Sequence, residues 1–172
     1  MVMSYSRSRQ NKQETIAVNA SPLIFLAKAG LLHILTEMFD EACTTEKVME
    51  EIKAPLRIGR DVPELQVIRR ANIRVVRLTE EEKRRALTLK RRLRIHDGEA
   101  EVAALYERGF TLILLADKDA ERRLRRAGFR VINLADLVLA AWERGLVDLK
   151  EAFMRLYRVG YRTRRVRRFI EV

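Results

Sequence analysis

The sequence has little of what secreted and membrane-spanning proteins need. Its single cysteine, Cys43, cannot form an internal disulfide, which excludes a disulfide-stapled domain and favours a reducing compartment. No apolar run approaches the roughly 20 residues that span a bilayer. The polar N-terminus lacks the apolar stretch of a signal peptide. We therefore predict a cytoplasmic protein that has no membrane partner.

The sequence also lacks the short motifs that mark several enzyme classes. It contains no Gly-rich phosphate loop, no nucleophile elbow, no CxxC pair and no HExxH helix. These absences exclude the usual NTPases, serine hydrolases and zinc enzymes. An unrelated nucleotide-binding α/β domain stays open as an alternative, although the missing phosphate loop disfavours it.

Charge is what the sequence has in surplus. Its 35 Lys and Arg residues outnumber 24 Asp and Glu residues, giving a formal net charge of +11. A surplus of this size favours a polyanionic partner, most commonly nucleic acid. The alternative is an Arg- and Glu-rich surface that carries the ion-pair networks of a thermophile, which the composition also indicates.

Strand-forming runs alternate with helical patterns along the chain. This alternation predicts an α/β fold, a three-layer α/β/α sandwich around a mostly parallel sheet of about five strands. The predicted strands are 15–18, 41–44, 73–78, 111–116 and 129–132. Thr79 and Glu82 predict a capping box, and Trp142 is predicted to lie in the core. We divide the chain into a basic mobile tail (1–14), one domain (15–160) and an Arg-rich C-terminal segment (161–172).

Polar residues follow the strand ends and precede one helix. Asn19 follows the first strand, Asp117 and Asp119 follow the fourth, and Asp97 and Glu99 begin the helix before it. The carboxyl ends of parallel strands meet at one sheet edge, so we expect these groups to converge. Clustered carboxylates repel one another unless a cation neutralises them, and an all-oxygen set suits Mg²⁺ or Mn²⁺.

Each of these residues also has a purely structural interpretation. Asp97 and Asp117 are good N-caps, and Asp119 suits a first helical turn. Glu99 favours the positive end of its helix dipole. Ser21, before Pro22, is interpreted as the N-cap of the first helix. Only the expected convergence of several segments favours a metal site.

Three motifs in a fixed order carry a family resemblance: VNASPLIFLAKAGLLHIL, HDGEAEVAAL and LLADKDAERRLRRAGFRVINLADLV. Over roughly residues 15 to 160 the chain resembles the PIN-domain superfamily, in particular its VapC-like branch with (D/N)xSPLI and DxGEAE motifs. The resemblance implies a metal-dependent endoribonuclease whose catalytic and metal-binding residues are Asn19, Glu99, Asp117 and Asp119. Asp97, two residues before Glu99, is a possible further ligand that would compensate for the missing charge at Asn19. Asn19 departs from the family's acidic residue, and one missing charge at ~4 Å is worth about 1–4 kcal/mol.

Arginines and aromatics are interleaved near the C-terminus, as in proteins that bind single-stranded RNA. The residues predicted to bind RNA are Ser21, Arg122, Arg123, Arg126, Arg158, Tyr161, Arg164 and Arg165. Alternatively, the aromatics pack the last helix and the arginines are merely solvated. The resemblance further implies a small antitoxin partner and a homodimer.

Two functions follow from these observations. The first is an Mg²⁺- or Mn²⁺-dependent endoribonuclease, either toxin-like or RNA-processing. The alternative is a catalytically weakened PIN-fold module that binds RNA or a protein without cleavage. Asn19 is the feature that separates the two hypotheses.

Overall fold

Five parallel strands form a single sheet in the computed structural model, which describes residues 14–171. The strands are β1 (Thr15–Val18), β2 (Glu41–Thr45), β3 (Ile73–Val76), β4 (Leu112–Leu115) and β5 (Val131–Asn133). Their spatial order is β3-β2-β1-β4-β5, and every neighbouring pair is parallel. The predicted five-stranded parallel sheet is confirmed.

Helices on both faces of the sheet complete the three-layer α/β/α sandwich. In residues 14–171 they are α1 (Ala20–Ala29), α2 (His33–Met38), α3 (Glu46–Lys53), α4 (Glu64–Arg70), α5 (Glu80–Leu93), α6 (Asp97–Arg108), α7 (Lys118–Arg126), α8 (Leu134–Glu143), α9 (Leu149–Arg158) and α10 (Arg164–Ile170), with a 3-10 turn at Ala54–Ile58. None of them is long and apolar enough to cross a membrane.

The core lies where the central strands meet the helices. Ile16 in β1 and Leu114 in β4 are fully buried, as are Leu105 in α6 and Leu124 in α7. Strands covered on both faces need apolar side chains on both faces, which explains the continuous apolar run of β4. The core therefore holds β1 and β4 rigidly at the centre of the sheet.

Local sequence signals fix several helix starts. The capping box of α5 is confirmed, because the Glu82 N–H donates to the Thr79 hydroxyl and the Thr79 N–H to the Glu82 carboxylate. The predicted N-cap of α1 is wrong, since α1 begins at Ala20 and its N-cap is Asn19 rather than Ser21. This shift of two residues has consequences for the site described below.

One core prediction is also wrong. Trp142 is 48% exposed. The buried stripe of α8 consists of Leu137, Val138 and Ala141, and Trp142 lies at its edge. The predicted basic tail lies outside the described residues, except for Glu14.

Candidate metal centre

The strand order changes direction between β1 and β4. The chain runs outward from β1 through β2 to β3 on one side, and from β4 to β5 on the other. At the carboxyl ends of the two central strands, Val18 pairs with Leu114, and the Asn19 N–H donates to the Leu114 carbonyl at 3.2 Å. Open parallel sheets bind ligands at such a switch point. Asn19 therefore lies where a site is expected.

The side-chain oxygen of Asn19 has no hydrogen-bond partner, although it is buried. An N-cap oxygen normally accepts from the N–H of the second or third helical residue. The third residue of α1 is Pro22, which has no N–H, and the structure shows no side-chain cap bond at Asn19. Ser21, at the second position, does have an N–H, but the structure shows no bond from it, so the amide oxygen is without a capping donor.

Asn19 and Glu51 converge on Gly98. A Cβ built on Gly98 would lie 2.8 Å from the Asn19 Oδ1 and 2.9 and 3.0 Å from the two Glu51 carboxylate oxygens. The Gly98 N–H donates a hydrogen bond to the Glu51 carboxylate. Three segments that are distant in sequence, β1–α1, α3 and α6, therefore contribute oxygens or space to one small region.

The surroundings of Glu51 disfavour its charged form, although the residue is exposed in part. Burial raises the pKa of the Glu51 carboxyl above its ordinary value, and the carboxylates of Asp97 and Glu99 raise it further. The Gly98 N–H and the Lys47 ammonium oppose this shift in pKa. A raised carboxyl pKa means that the fold disfavours the charged form. A bound cation would reverse that preference.

Glu101, one turn further along α6, adds another half-buried carboxyl. Burial raises the pKa of Glu101, and Asp97 raises it slightly, while a hydrogen bond from the Thr45 hydroxyl lowers it. Glu51, Asp97, Glu99 and Glu101 therefore concentrate negative charge around the start of α6. The N-terminus of that helix offsets part of the repulsion.

Two predicted site residues, Asp97 and Glu99, flank Gly98 in the chain. Glu99 is 4% exposed, and its carboxylate accepts a hydrogen bond from the His96 N–H at 2.8 Å. Asp97 is exposed and forms an ion pair with Lys90 at 2.8 Å, which lowers its pKa. Asp97 thus already has a positive partner, whereas the Glu99 side chain is buried and accepts from a backbone N–H.

Asp117 and Asp119 lie beyond β4 and make other interactions. The Asp117 carboxylate caps α7 by accepting from the Ala120 N–H at 2.8 Å, and Asp119 pairs with Arg122 at 2.8 Å. Within residues 14–171, no three His, Cys, Asp or Glu side chains form a group that could hold a metal ion. The oxygen donors that converge on Gly98 are an amide, Asn19, and a carboxylate, Glu51.

Glu51 was not among the residues predicted from the sequence. It is the sixth residue of α3, away from the strand end and the helix start, and no local motif marks it. Only the packing of α3 beside α6 brings it to the switch point. The donors at this point are the unpartnered amide oxygen of Asn19 and the carboxylate of Glu51, whose pKa is raised. A set made only of oxygens suits a hard divalent cation.

The residues predicted to bind RNA differ in accessibility. Tyr161 is buried and packs against Phe25 with ring centroids 5.4 Å apart, and burial raises its pKa to about 12. Its ring is therefore not available for stacking on a base. Arg123 donates to the Arg94 carbonyl, and Arg165 forms an ion pair with Asp136. The exposed residues include Ser21, Arg126, Arg158 and Arg164.

Comparison with known families supports the architecture. Residues 15–168 match the family model DUF3368, which is described as a PIN domain. The chain therefore belongs to the PIN-domain family, which is generally a nuclease fold, typically dependent on a divalent metal and often bound to nucleic acid. The search of curated proteins finds no match.

Substituting Pro22 by alanine tests why the Asn19 oxygen is free. Alanine supplies an N–H at the third helical position, and we expect the Asn19 oxygen to accept from it. Breaking a cap bond worth about 1 kcal/mol would lower cation affinity about fivefold. Calorimetric titration with Mn²⁺ measures this change. Pro63→Ala, at the N-cap of α4, is the control, and equal affinity in both variants would contradict the explanation.

Substituting Glu51 by glutamine tests the electrostatics. Because the pKa of Glu51 is raised in the fold, its protonated form contributes stability that is lost as the pH rises through that pKa. Glutamine stays neutral, so we expect the metal-free variant to melt higher than the wild type at neutral pH. Below 4.5, the ordinary glutamate value, the two should melt together. A variant that melts lower at neutral pH would refute the assignment.

Proposed function

We propose that this protein is a metal-dependent endoribonuclease that hydrolyses RNA phosphodiester bonds, either as a toxin or in RNA processing. The observation that carries the proposal is the buried, unpartnered Asn19 oxygen, which meets the Glu51 carboxylate at the switch point of a PIN-domain sheet. Apart from the missing charge at Asn19, the donors match what Mg²⁺ or Mn²⁺ requires.

The proposed ligands are Asn19, Glu51 and Glu99, with Asp117 completing the site from the β4 side. When bound, a divalent ion supplies a Lewis acid that activates water and stabilises the charge of the leaving oxygen. Glu99 is held in place by the His96 N–H, which fixes one carboxylate oxygen. Asp117 uses Oδ1 for the α7 cap, which leaves Oδ2 to accept a proton from the attacking water.

Asp119 and Asp97 have a peripheral role in this proposal. Each carboxylate has a basic partner, Arg122 and Lys90 respectively. These pairs are exposed, so each contributes little stability and can open at low cost. Asp119 is one residue from Lys118 and two from Asp117, close enough in the chain to adjust the charge that RNA meets at the site.

The second candidate function is a PIN-fold module that binds RNA or a protein without cleaving. It is favoured by the neutral amide at Asn19 and by the absence, within residues 14–171, of three acidic side chains already grouped for a metal. A cation that binds the folded state raises the melting temperature by mass action. No rise at millimolar Mg²⁺ or Mn²⁺ would favour this alternative.

The decisive experiment compares two matched capping aspartates. Asp117 caps α7 and Asp148 caps α9, each by accepting from a backbone N–H at 2.8 Å. Asparagine caps as well as aspartate does, so Asp117→Asn and Asp148→Asn have similar structural costs. We expect Mn²⁺-dependent cleavage of single-stranded RNA to be abolished only in Asp117→Asn. Cleavage that persists in EDTA or in Asp117→Asn would rule out the nuclease.

A homodimer and a small antitoxin are further parts of the proposal. Both are suggested by the VapC-like resemblance, and the exposed apolar side chains of Leu56, Ile58 and Val67 offer a surface for a partner. Light scattering after gel filtration measures the mass in solution. A monomer at micromolar concentration would remove the homodimer from the proposal.

A further inference from the structure

A basic cleft lies between the starts of α7 and α9 and the last helix, α10. Its volume is about 760 Å³, and its lining residues are Lys118, Lys150, Arg164, Arg165, Arg168 and Phe169. Five of the six carry a positive charge, and no carboxylate from residues 14–171 lines the cleft. The sixth is aromatic. Basic side chains beside an aromatic ring favour a ligand that is anionic and contains flat rings.

The positive charge of the cleft is largely uncompensated. Arg165 pairs with Asp136. Lys118, Lys150, Arg164 and Arg168 are exposed and have no acidic partner among residues 14–171. Elsewhere on the surface, basic side chains such as Arg85 and Arg108 pair with glutamates. Like charges gathered without partners repel one another, and a chain of phosphates removes that repulsion.

Phe169 provides a fixed ring in the same cleft. It is 41% exposed, and its ring stands edge-on to the ring of Phe153, with centroids 5.3 Å apart and an interplanar angle of 77°. Phe153 is 2% exposed, so the supporting ring belongs to the core. Val166, one turn earlier in α10, is fully buried and holds the helix in place. The accessible ring is therefore pre-positioned for stacking.

One end of the cleft lies at the start of α7, next in the chain to the proposed ligand Asp117. Lys118 directly follows Asp117, and both belong to the start of α7. A strand that binds along Arg164, Arg168 and Lys150 would reach Lys118 at the end nearest to Asp117. The cleft and the metal centre can therefore share one bound chain.

We propose that this cleft binds single-stranded RNA, with phosphates on Lys150, Arg164 and Arg168 and a base stacked on Phe169. Aromatic stacking requires an unpaired base, which favours a single strand over a duplex. The alignment of the bound strand with the metal centre rests on the proposed nuclease function. The binding itself does not, because it needs no metal.

The test of the charges uses matched triple variants and fluorescence anisotropy with a labelled, unstructured RNA oligomer in EDTA. The cleft variant is Lys150→Gln, Arg164→Gln and Arg168→Gln. The control is Arg69→Gln, Arg70→Gln and Arg91→Gln, which removes the same charge at exposed arginines without acidic partners among residues 14–171. Three lost phosphate contacts should reduce the slope of log affinity against log salt by about 2. Equal slopes for both variants would overturn the proposal.

The test of stacking uses Phe169→Leu, which keeps an apolar contact with Phe153 but removes the ring. We expect roughly a tenfold loss of RNA affinity, recovered in Phe169→Trp, and no loss for an abasic ribose-phosphate oligomer. An unchanged affinity for RNA would overturn the proposal. The proposal would also be overturned if a duplex or a polyglutamate peptide bound as tightly as the single strand, because neither offers an unpaired base.

Failure of the cleft and failure of the nuclease give different results. The wild-type protein should bind the oligomer in EDTA, where the proposed nuclease is inactive, because binding needs no metal. A protein that binds RNA through the cleft but does not cleave it would leave this inference intact and refute the nuclease. If the cleft variant cleaves RNA normally and with an unchanged KM, the nuclease proposal stands and the inference about the cleft is refuted.

Discussion

Gly98→Ala is expected to lower metal-dependent RNA cleavage by at least roughly a hundredfold without unfolding the protein. The new methyl group would lie within 3.0 Å of the Asn19 amide oxygen and both Glu51 carboxylate oxygens. These are ends of side chains, so they can move aside at small cost to the fold. A divalent cation needs its oxygen ligands in place, so moving the Asn19 and Glu51 oxygens should impair the proposed metal site and leave the rest of the fold unchanged.

Two readouts separate this effect from simple destabilisation. Alanine is a better helix former than glycine, so the metal-free Gly98→Ala variant should melt at the wild-type temperature or slightly above it. The rise in melting temperature on adding Mn²⁺ should disappear. A variant that melts lower without metal, yet keeps the Mn²⁺ response and cleavage, would show that Gly98 serves the packing of α6 rather than the site.

Asn19→Asp is expected to raise the affinity for Mg²⁺ or Mn²⁺ about tenfold or more. The substitution adds a negative charge beside the proposed cation, and a charge at ~4 Å contributes about 1–4 kcal/mol. Without metal the same charge faces Glu51, whose pKa is already raised by burial and neighbouring carboxylates. The metal-free variant should therefore melt below the wild type, while the metal-bound variant should melt above it.

Thermal melts at several Mn²⁺ concentrations measure both effects in one series. Asn19→Ala is the matched control, because it removes the oxygen without adding charge, and it should lose the Mn²⁺ response. If Asn19→Asp and Asn19→Ala responded alike, the side chain at this position would not be a ligand. If the Mn²⁺ response increases in Asn19→Asp and is lost in Asn19→Ala, the asparagine oxygen is a ligand that binds the cation more weakly than a carboxylate would.

Several parts of the site were accessible from sequence because they depend on local order. Strand β1 and the position of Asn19 at its end follow from the apolar run TIAV, and the edge at which Asn19 lies follows from the parallel sheet. The fold class follows from the alternation of strands and helices. These signals act over a few residues, which is why they can be read from one sequence.

The rest depends on packing. Glu51 comes to Gly98 only because α3 lies beside α6, and nothing in EKVMEEIK distinguishes it from its neighbour Glu50. The unbonded amide of Asn19 depends on a boundary of α1 two residues earlier than predicted, which places Pro22 at the third helical position. The first detail requires telling Glu51 from Glu50, and the second requires the start of α1 to within two residues. Helix boundaries inferred from sequence are not that precise.

The surface has features of both alternatives that the composition left open, namely ion pairs and a local surplus of positive charge. Glutamates pair with arginines over much of the surface, for example Glu107 with Arg85 at 2.8 Å and Glu121 with Arg125 at 2.7 Å. Such pairs are the surface feature that an Arg- and Glu-rich composition predicts. The pairing is uneven, and among the exposed cations that have no acidic partner within residues 14–171, Lys118, Lys150, Arg164 and Arg168 line one cleft at α10. This local concentration of positive charge favours a polyanionic ligand.

Diffraction from crystals soaked in Mn²⁺, recorded where manganese scatters anomalously, tests the central claim most directly. The account predicts an anomalous peak in contact with the Asn19 Oδ1 and a Glu51 carboxylate oxygen, and its loss in Gly98→Ala. A soaked crystal with no peak there at saturating Mn²⁺, or with manganese bound only at surface carboxylates such as Asp119, would contradict it.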